Sequence, residues 1–457
     1  MRRALSRIIV LLGLHVTATA KDTGETLPVV EMIFFSPKDI EPPKDVEERL
    51  GTLALQTEDF FEVEMKNQGY PIKRKKIFSR DSKGKVKVAF VRGHATAGTG
   101  KYDRNYQGLP QEIIDTAHKT SRFSRNGDCF WIFVYLGPGR EFNGWVGYGT
   151  INRGGYGIVR YQPNGDIIGA KTHIHELCHS LTLPHIGPKE SDKGDCNLMG
   201  PNEPTFQRRR GKAWESFYIS ESGAARLWHH PIFSGTLDKR AQKPRKAELA
   251  DTKVTYDQNK KLFKIEGKVD CDLPVHSVIV HDDSSGPNQE YWRKTYVSRP
   301  DETGGFSIEV NELSDHDGML RFFYCIEGGL TSRCESAVVY TFENGKHSIQ
   351  GFIPHTFPLA CGGVEKIVSA QWGTKRKLFL KSAADVSDKI EKKIKNGALS
   401  FWIDYKSLGD PEPGKTKYLQ VQYQLEGEEQ VRRLEVRQDN FLILPPLELA
   451  YPPKINK

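Results

Sequence analysis

The chain has 457 residues, 37 % hydrophobic and 27 % charged, with a net charge of +8. This length calls for about three domains, and no internal repeat, low-complexity tract or apolar run of membrane-spanning length is present. Basic residues are scattered, with short clusters at Lys73-Arg74-Lys75-Lys76 and Arg208-Arg209-Arg210 that read as solvated surface, so nucleic acid is not implied.

At the N-terminus, Arg2, Arg3 and Arg7 form a basic start, Ile8 to Val16 a short apolar core, and Ala18-Thr19-Ala20 an A-x-A cleavage site. Residues 1–20 are therefore predicted to be a secretory signal peptide, since roughly nine apolar residues cannot span a bilayer. Removing it takes away three arginines and no acid, which leaves +5 of the +8. Secretion also puts the seven cysteines where disulfides persist.

Residues 21–235 read as one α/β domain. Val29 to Phe35 is an apolar run with polar breaks on both sides, the pattern of a buried strand. Pro43 to about Gln68 is helical, with proline near its first turn. Lys85 to Val91 alternates as a strand, Gln111 to Arg122 reads as helix, and Cys129 to Leu136 reads as a central strand. Glycine-laced strands follow at Trp145 to Thr150 and Tyr156 to Tyr161. Strands alternating with helices imply a mostly parallel sheet with crossovers.

The next segment, Thr172-His173-Ile174-His175-Glu176-Leu177-Cys178-His179-Ser180-Leu181-Thr182-Leu183-Pro184-His185, carries the chemistry. On a helix His175 and His179 lie one turn apart on one face, so both can reach a single metal ion. Glu176 sits beside that ion, placed to take a proton from an attacking water. Pro184 stops the helix and lets the chain return His185 as a third ligand. Three neutral nitrogens with one open position describe a catalytic zinc site rather than a closed structural one. His173 lies about 200° from His175 around the helix and is left out of the set.

This stretch resembles the metzincin clan of zinc metallopeptidases, whose signature is HExxHxxGxxH followed by a methionine-containing turn. The candidate turn is Cys196-Asn197-Leu198-Met199-Gly200-Pro201, and the resemblance implies that Met199 packs beneath the metal. It also implies that Gly147-Tyr148-Gly149 lies on a sheet edge strand able to pair with an extended substrate. A glycine-rich bend without a substrate role is an equal reading of that tripeptide. Thr182 stands where the family has glycine; a left-handed turn there would cost about 1–3 kcal/mol, so a different helix end, reversed by Pro184, is expected. Ile186 follows the third histidine and no tyrosine stands two residues beyond Met199, so the subfamily stays open. Asp192 and Asp195 share one turn, too few acids to support a calcium ion.

A helix from about Ser220 to His229 closes the domain, with His229-His230-Pro231 at its end, where imidazolium would suit the helix dipole. Residues 236–252, rich in Lys, Arg, Ala and Glu, read as a linker. Short alternating segments across 253–345 predict an antiparallel β-sandwich of immunoglobulin or fibronectin class. Residues 346–457 form a further β-rich module containing Gly409-Asp410-Pro411-Glu412-Pro413-Gly414-Lys415. Cys178 and Cys196 are the favoured disulfide, worth about 3 kcal/mol in the chain-entropy model. Cys325 and Cys334 are spaced to staple a hairpin, and the odd cysteine total leaves at least one thiol free or paired between chains.

The chain is thus expected to be multidomain, an α/β metzincin-like catalytic domain followed by two β-rich modules. Its expected function is secreted zinc endopeptidase, with one zinc per chain, a protein or peptide substrate and no membrane span. The C-terminal modules are candidates for binding a surface or carbohydrate. The alternatives are a zinc amidase acting on a non-peptide or cell-wall amide, and an inactive peptidase-like adhesion protein.

Overall fold

The computed structural model describes residues 27–99, 101–102, 108–120, 129–138, 155–161, 170–184, 197–199, 218–238, 240, 247–284, 292–311, 318–329, 331–353, 361–376, 379–395, 397–438 and 441–446. The first apolar run forms β1 (Val30–Ser36), buried along its whole length. It pairs in parallel with β2 (Val88–Arg92) on one side and β3 (Cys129–Val134) on the other. Strand β3 in turn pairs in parallel with β4 (Tyr156–Arg160), giving the order β2-β1-β3-β4. Parallel neighbours need crossovers, and helices α1 (Val46–Asn67) and α2 (Leu109–Thr120) supply the first two.

Helices on both faces explain why the central strands β1 and β3 are buried along their whole length instead of alternating. Met32, Phe34, Trp131 and Phe133 share one core with α1 and with the motif helix α3 (Ala170–Ser180). Ile33, Phe35, Ile132, Val134 and Ile158 face α2. Among the described residues no helix is long and apolar enough to cross a membrane.

Helix α4 (Glu221–His229) starts at Ser220, whose hydroxyl accepts the Gly223 N–H. A short α5 (Pro231–Ser234) follows, capped by His230, whose Nδ1 accepts the Ile232 N–H at 3.2 Å. These two histidines are not the imidazolium pair expected at a helix end. His229 and His230 are buried, and burial pushes His230 down to about 4 and His229 well below its ordinary value.

The second unit is built from β5 (Glu248–Asp257), β6 (Leu262–Asp270), β7 (Ser277–Ser284), β8 (Trp292–Ser298), β9 (Gly305–Val310), β10 (Gly318–Cys325), β11 (Ser332–Glu343) and β12 (Lys346–Ile353). They make antiparallel sheets β5-β6-β9 and β12-β11-β10-β7-β8 around one buried core. The stretch read as linker, 236–252, is strand from Glu248 onward, where β5 begins; Leu249, Val254 and Tyr256 of that strand pack on the core.

The unit does not hang loose. Ile279 and Cys325 belong to the same buried cluster as α1, α3 and α4. Across the junction Arg226 Nη2 donates to His281 Nε2 at 2.7 Å, the Ser222 and Thr295 hydroxyls meet at 2.7 Å, and Arg299 Nη2 donates to the Gly69 carbonyl at 2.8 Å. Lys73, from the cluster read as solvated surface, pairs with Glu327. The Cys325–Cys334 staple is not formed: Cys325 sits opposite Thr331, with Sγ and Oγ1 3.4 Å apart, and the two cysteines fall in different cores. Among the described residues all cysteines are free thiols, Cys178 included.

The third unit contains the sheet β14-β13-β16-β17, made of β13 (Val364–Arg376), β14 (Phe379–Asp385), β16 (Lys417–Leu425) and β17 (Arg432–Arg437), beside a pair formed by β15 (Leu399–Trp402) and β18 (Phe441–Leu444). Its Gly-Asp-Pro-Glu-Pro-Gly-Lys motif is structural. Lys417, only 2 % exposed, pairs with Asp410; Thr374 donates to Glu412; and the Gly409 carbonyl accepts Trp372 Nε1 at 2.8 Å. A buried lysine needs such a partner, which explains why the acid is there.

Candidate metal centre and active site

Helix α3 carries His175 and His179 one turn apart, their rings edge to face with centroids 4.6 Å apart. Together with Glu176 they bring one ligand atom each to within 4.8 Å of one another. The main chain fixes both imidazoles from behind. His175 Nδ1 lies 2.7 Å from the Leu198 carbonyl, and His179 Nδ1 lies 2.8 Å from the Leu183 carbonyl. A carbonyl can only accept, so both Nδ1 atoms carry the proton and both Nε2 atoms keep their lone pair. This is the support that metal-binding histidines require. Burial holds His179 below its ordinary value, with the Leu183 carbonyl opposing it, which favours the neutral ring that ligation would need.

Glu176 is 4 % exposed, and its Oε2 meets no hydrogen-bond partner among the described residues. Burial pushes its carboxyl up to about 8. A carboxyl buried without compensation is costly in the fold and is the kind of group a nearby cation would satisfy. The donor set, two neutral imidazoles beside an orphaned carboxyl, suits a zinc ion.

Met199 is buried in the core that also contains Leu177 and Cys178 of α3. Its N–H donates to Asn197 Oδ1 at 3.0 Å, and the Leu198 N–H donates to the Tyr218 carbonyl at 2.9 Å. The turn is thereby tied down at the point where Leu198 presents its carbonyl to His175. His173 points to the sheet, with Nε2 donating to the Arg160 carbonyl at 3.3 Å and burial holding it down to about 4. His185, Cys196, Gly147, Tyr148, Gly149, Asp192 and Asp195 lie outside the described residues.

The end of α3 differs from expectation. Thr182 has a φ of +78° and is 5 % exposed. The Leu183 N–H donates to the Cys178 carbonyl at 2.9 Å and the Thr182 N–H to the His179 carbonyl at 3.0 Å. That is a Schellman ending with threonine at the left-handed position, so the chain reverses at Thr182 and not at Pro184. Holding a β-branched residue there costs about 1–3 kcal/mol. The strain is offset by the two carbonyls it satisfies, by burial of Leu181 and Leu183, and by the carbonyl it turns under His179. Replacing Thr182 with glycine removes this strain and returns up to about 1 kcal/mol in unfolded-chain entropy. Thr182→Gly is therefore expected to gain roughly 1 kcal/mol in urea unfolding; a loss of stability would show that the position is relaxed.

Sequence reasoning missed the Leu183 and Leu198 carbonyls, since any residue type offers one. It also passed over Gly157, although an isolated glycine inside a strand pattern signals close backbone approach.

No protein-family model matches the chain, and no curated protein matches it. Among solved structures, wild-type OgpA from Akkermansia muciniphila in two crystal forms matches with a TM-score of 0.54 and 18 % or 19 % identity. These matches cover 71 % or 72 % of this chain and 96 % of OgpA. Catalytically inactive OgpA in complex with an O-glycopeptide (glycodrosocin) substrate matches equally, at 17 % identity over 71 % of this chain and 96 % of that one. At such identities the likeness is one of fold: several sheets, few helices, and more than one unit.

Proposed function

We propose that the chain is a secreted zinc-dependent endopeptidase of metzincin type, exported by residues 1–20. The observation that carries this reading is a pair of imidazoles, each turned by a main-chain carbonyl, with a buried orphan carboxyl beside them. His175, His179 and His185 would hold the metal, above a floor that includes Met199. Zinc, when bound, polarises the scissile carbonyl and acidifies the attacking water. Glu176 takes the proton of that water and delivers it to the leaving amine. Gly147-Tyr148-Gly149 would hold the extended substrate by main-chain pairing. Residues 346–457 would serve as an appended module for a surface or carbohydrate.

The substrate class to test first is the O-glycosylated peptide. Its support is the OgpA complex, whose fold this chain shares at 17 % identity; the chemistry of the site itself asks only for an amide bond. The test uses the purified full chain. Bound zinc is counted by mass spectrometry, and casein, cell-wall fragments and matched peptides with and without an O-glycan are digested before and after chelation. One zinc per chain is expected, with cleavage lost on chelation and restored by zinc. Cleavage that survives complete removal of zinc would overturn the reading. Turnover of cell-wall fragments alone would favour the amidase.

A further inference from the structure

We propose that Gly157 is the positioning residue that sets the depth of the motif helix, and through it the placement of His175, Glu176 and His179; this rests on the metal-site reading above. Gly157 is the second residue of β4, directly under α3. A Cβ built on it would stand 2.7 Å from the Glu176 carbonyl oxygen, 2.8 Å from its carbonyl carbon and 3.1 Å from the Leu177 nitrogen. All three are backbone atoms, so no rotamer change relieves the clash. Restoring an ordinary contact of 3.4 Å requires the helix to retreat by about 0.7 Å. Catalytic groups must be held within about 0.5 Å, so one methyl group exceeds the tolerance of the site.

The missing side chain is matched by a large one. Gly157 and Trp131 are register partners in parallel strands, so both face α3. The Trp131 indole, fully buried, donates from Nε1 to the His173 carbonyl at 3.0 Å. His173 Nε2 then reaches the Arg160 carbonyl at 3.3 Å, and Cys129 Sγ meets the Ser180 carbonyl at 3.4 Å at the far end of the helix. These contacts pull α3 down on the sheet, and the glycine makes room for the descent. His175 and Glu176 follow two and three residues after the His173 anchor, so movement of the seat moves them first.

The experiment compares wild type, Gly157→Ala, Trp131→Phe and Gly373→Ala, each as the full chain loaded with cobalt. Gly373 is the control: a Cβ there would meet the Lys381 carbonyl oxygen at 2.8 Å and the Ala383 Cα at 2.9 Å, equally crowded but in the third unit. The readouts are the cobalt ligand-field bands and zinc affinity by chelator competition, with thermal unfolding alongside. Gly157→Ala is expected to shift the bands and weaken zinc binding by about tenfold or more. Gly373→Ala should lower the unfolding temperature and leave the bands alone. Trp131→Phe keeps one aromatic ring and loses the indole hydrogen bond with part of the volume, so it should fold with reduced stability and shift the bands in the same direction by less. That variant decides the matter if Gly157→Ala does not accumulate. Unchanged bands and affinity in Gly157→Ala, or in Trp131→Phe where the former fails to fold, overturn the proposal. A wild type that binds no cobalt overturns the metal reading, and this proposal with it.

Discussion

Glu176→Gln is expected to lower peptide cleavage by a factor of at least about 10²–10⁴ while the chain keeps its zinc. Glutamine has the shape of glutamate and cannot take a proton from water, so the substitution isolates the base from the scaffold. The glutamate is poorly accommodated by the fold alone: its Oε2 is buried without a partner among the described residues, and burial holds the carboxyl at about 8. A cation close by would favour its ionised form, which is the arrangement the proposed function calls for. The amide is neutral without taking up a proton, whereas the metal-free parent must protonate its buried carboxyl, so at neutral pH the metal-free variant should be at least as stable. Zinc content, turnover and urea midpoint of both proteins are the measurements. Undiminished turnover with zinc bound removes Glu176 from the mechanism, and loss of zinc would make it a structural residue.

The parts of this fold carried by side-chain pattern were legible in the sequence. The apolar runs at β1 and β3, the long helix α1 and the spacing of His175 and His179 all follow from periodicity, and each stands where that periodicity puts it. What stayed hidden is carried by the main chain or by distant partners. Thr182 adopts a left-handed φ that threonine resists, because two helix-end carbonyls and His179 gain from it. Arg226 and His229 have the composition of an exposed helix end, yet both are buried against β7, where they meet His281 and Ser277. The lysine-rich cluster after α1 contributes Lys73 to an ion pair with Glu327, about 250 residues away, which no local pattern encodes. His185, the proposed third ligand, and Gly147-Tyr148-Gly149, the proposed substrate edge strand, lie outside the described residues and rest on the motif and the family resemblance alone.

Acidification is expected to destabilise the chain through its buried histidines, His230 foremost. His230 caps α5 by accepting the Ile232 N–H at Nδ1, and protonation of that nitrogen ends the bond. Its folded value lies at about 4 against an ordinary 6.5, so between those two the unfolded chain binds the proton first. Stability is therefore full above about 6.5, declines as pH falls, and the loss is complete once pH passes below about 4. A depression of this size is worth about 3 kcal/mol, a large share of the 5–15 kcal/mol typical of a domain. His229 acts in the same direction: burial, then His276, Lys73 and Arg299, hold it down while its Nε2 meets the Ser277 hydroxyl at 3.3 Å across the junction. Glu58, Glu64 and Glu221 are raised by burial and act in the opposite direction, so the total slope does not identify the histidine. The difference between wild type and His230→Asn does, because asparagine supplies a capping oxygen that does not titrate. Between pH 7 and pH 4.5 the urea-derived stability of wild type should fall by about 2–3 kcal/mol more than that of the variant. Equal losses in the two proteins would mean that His230 titrates alike in the folded and unfolded chain, and that burial does not depress it.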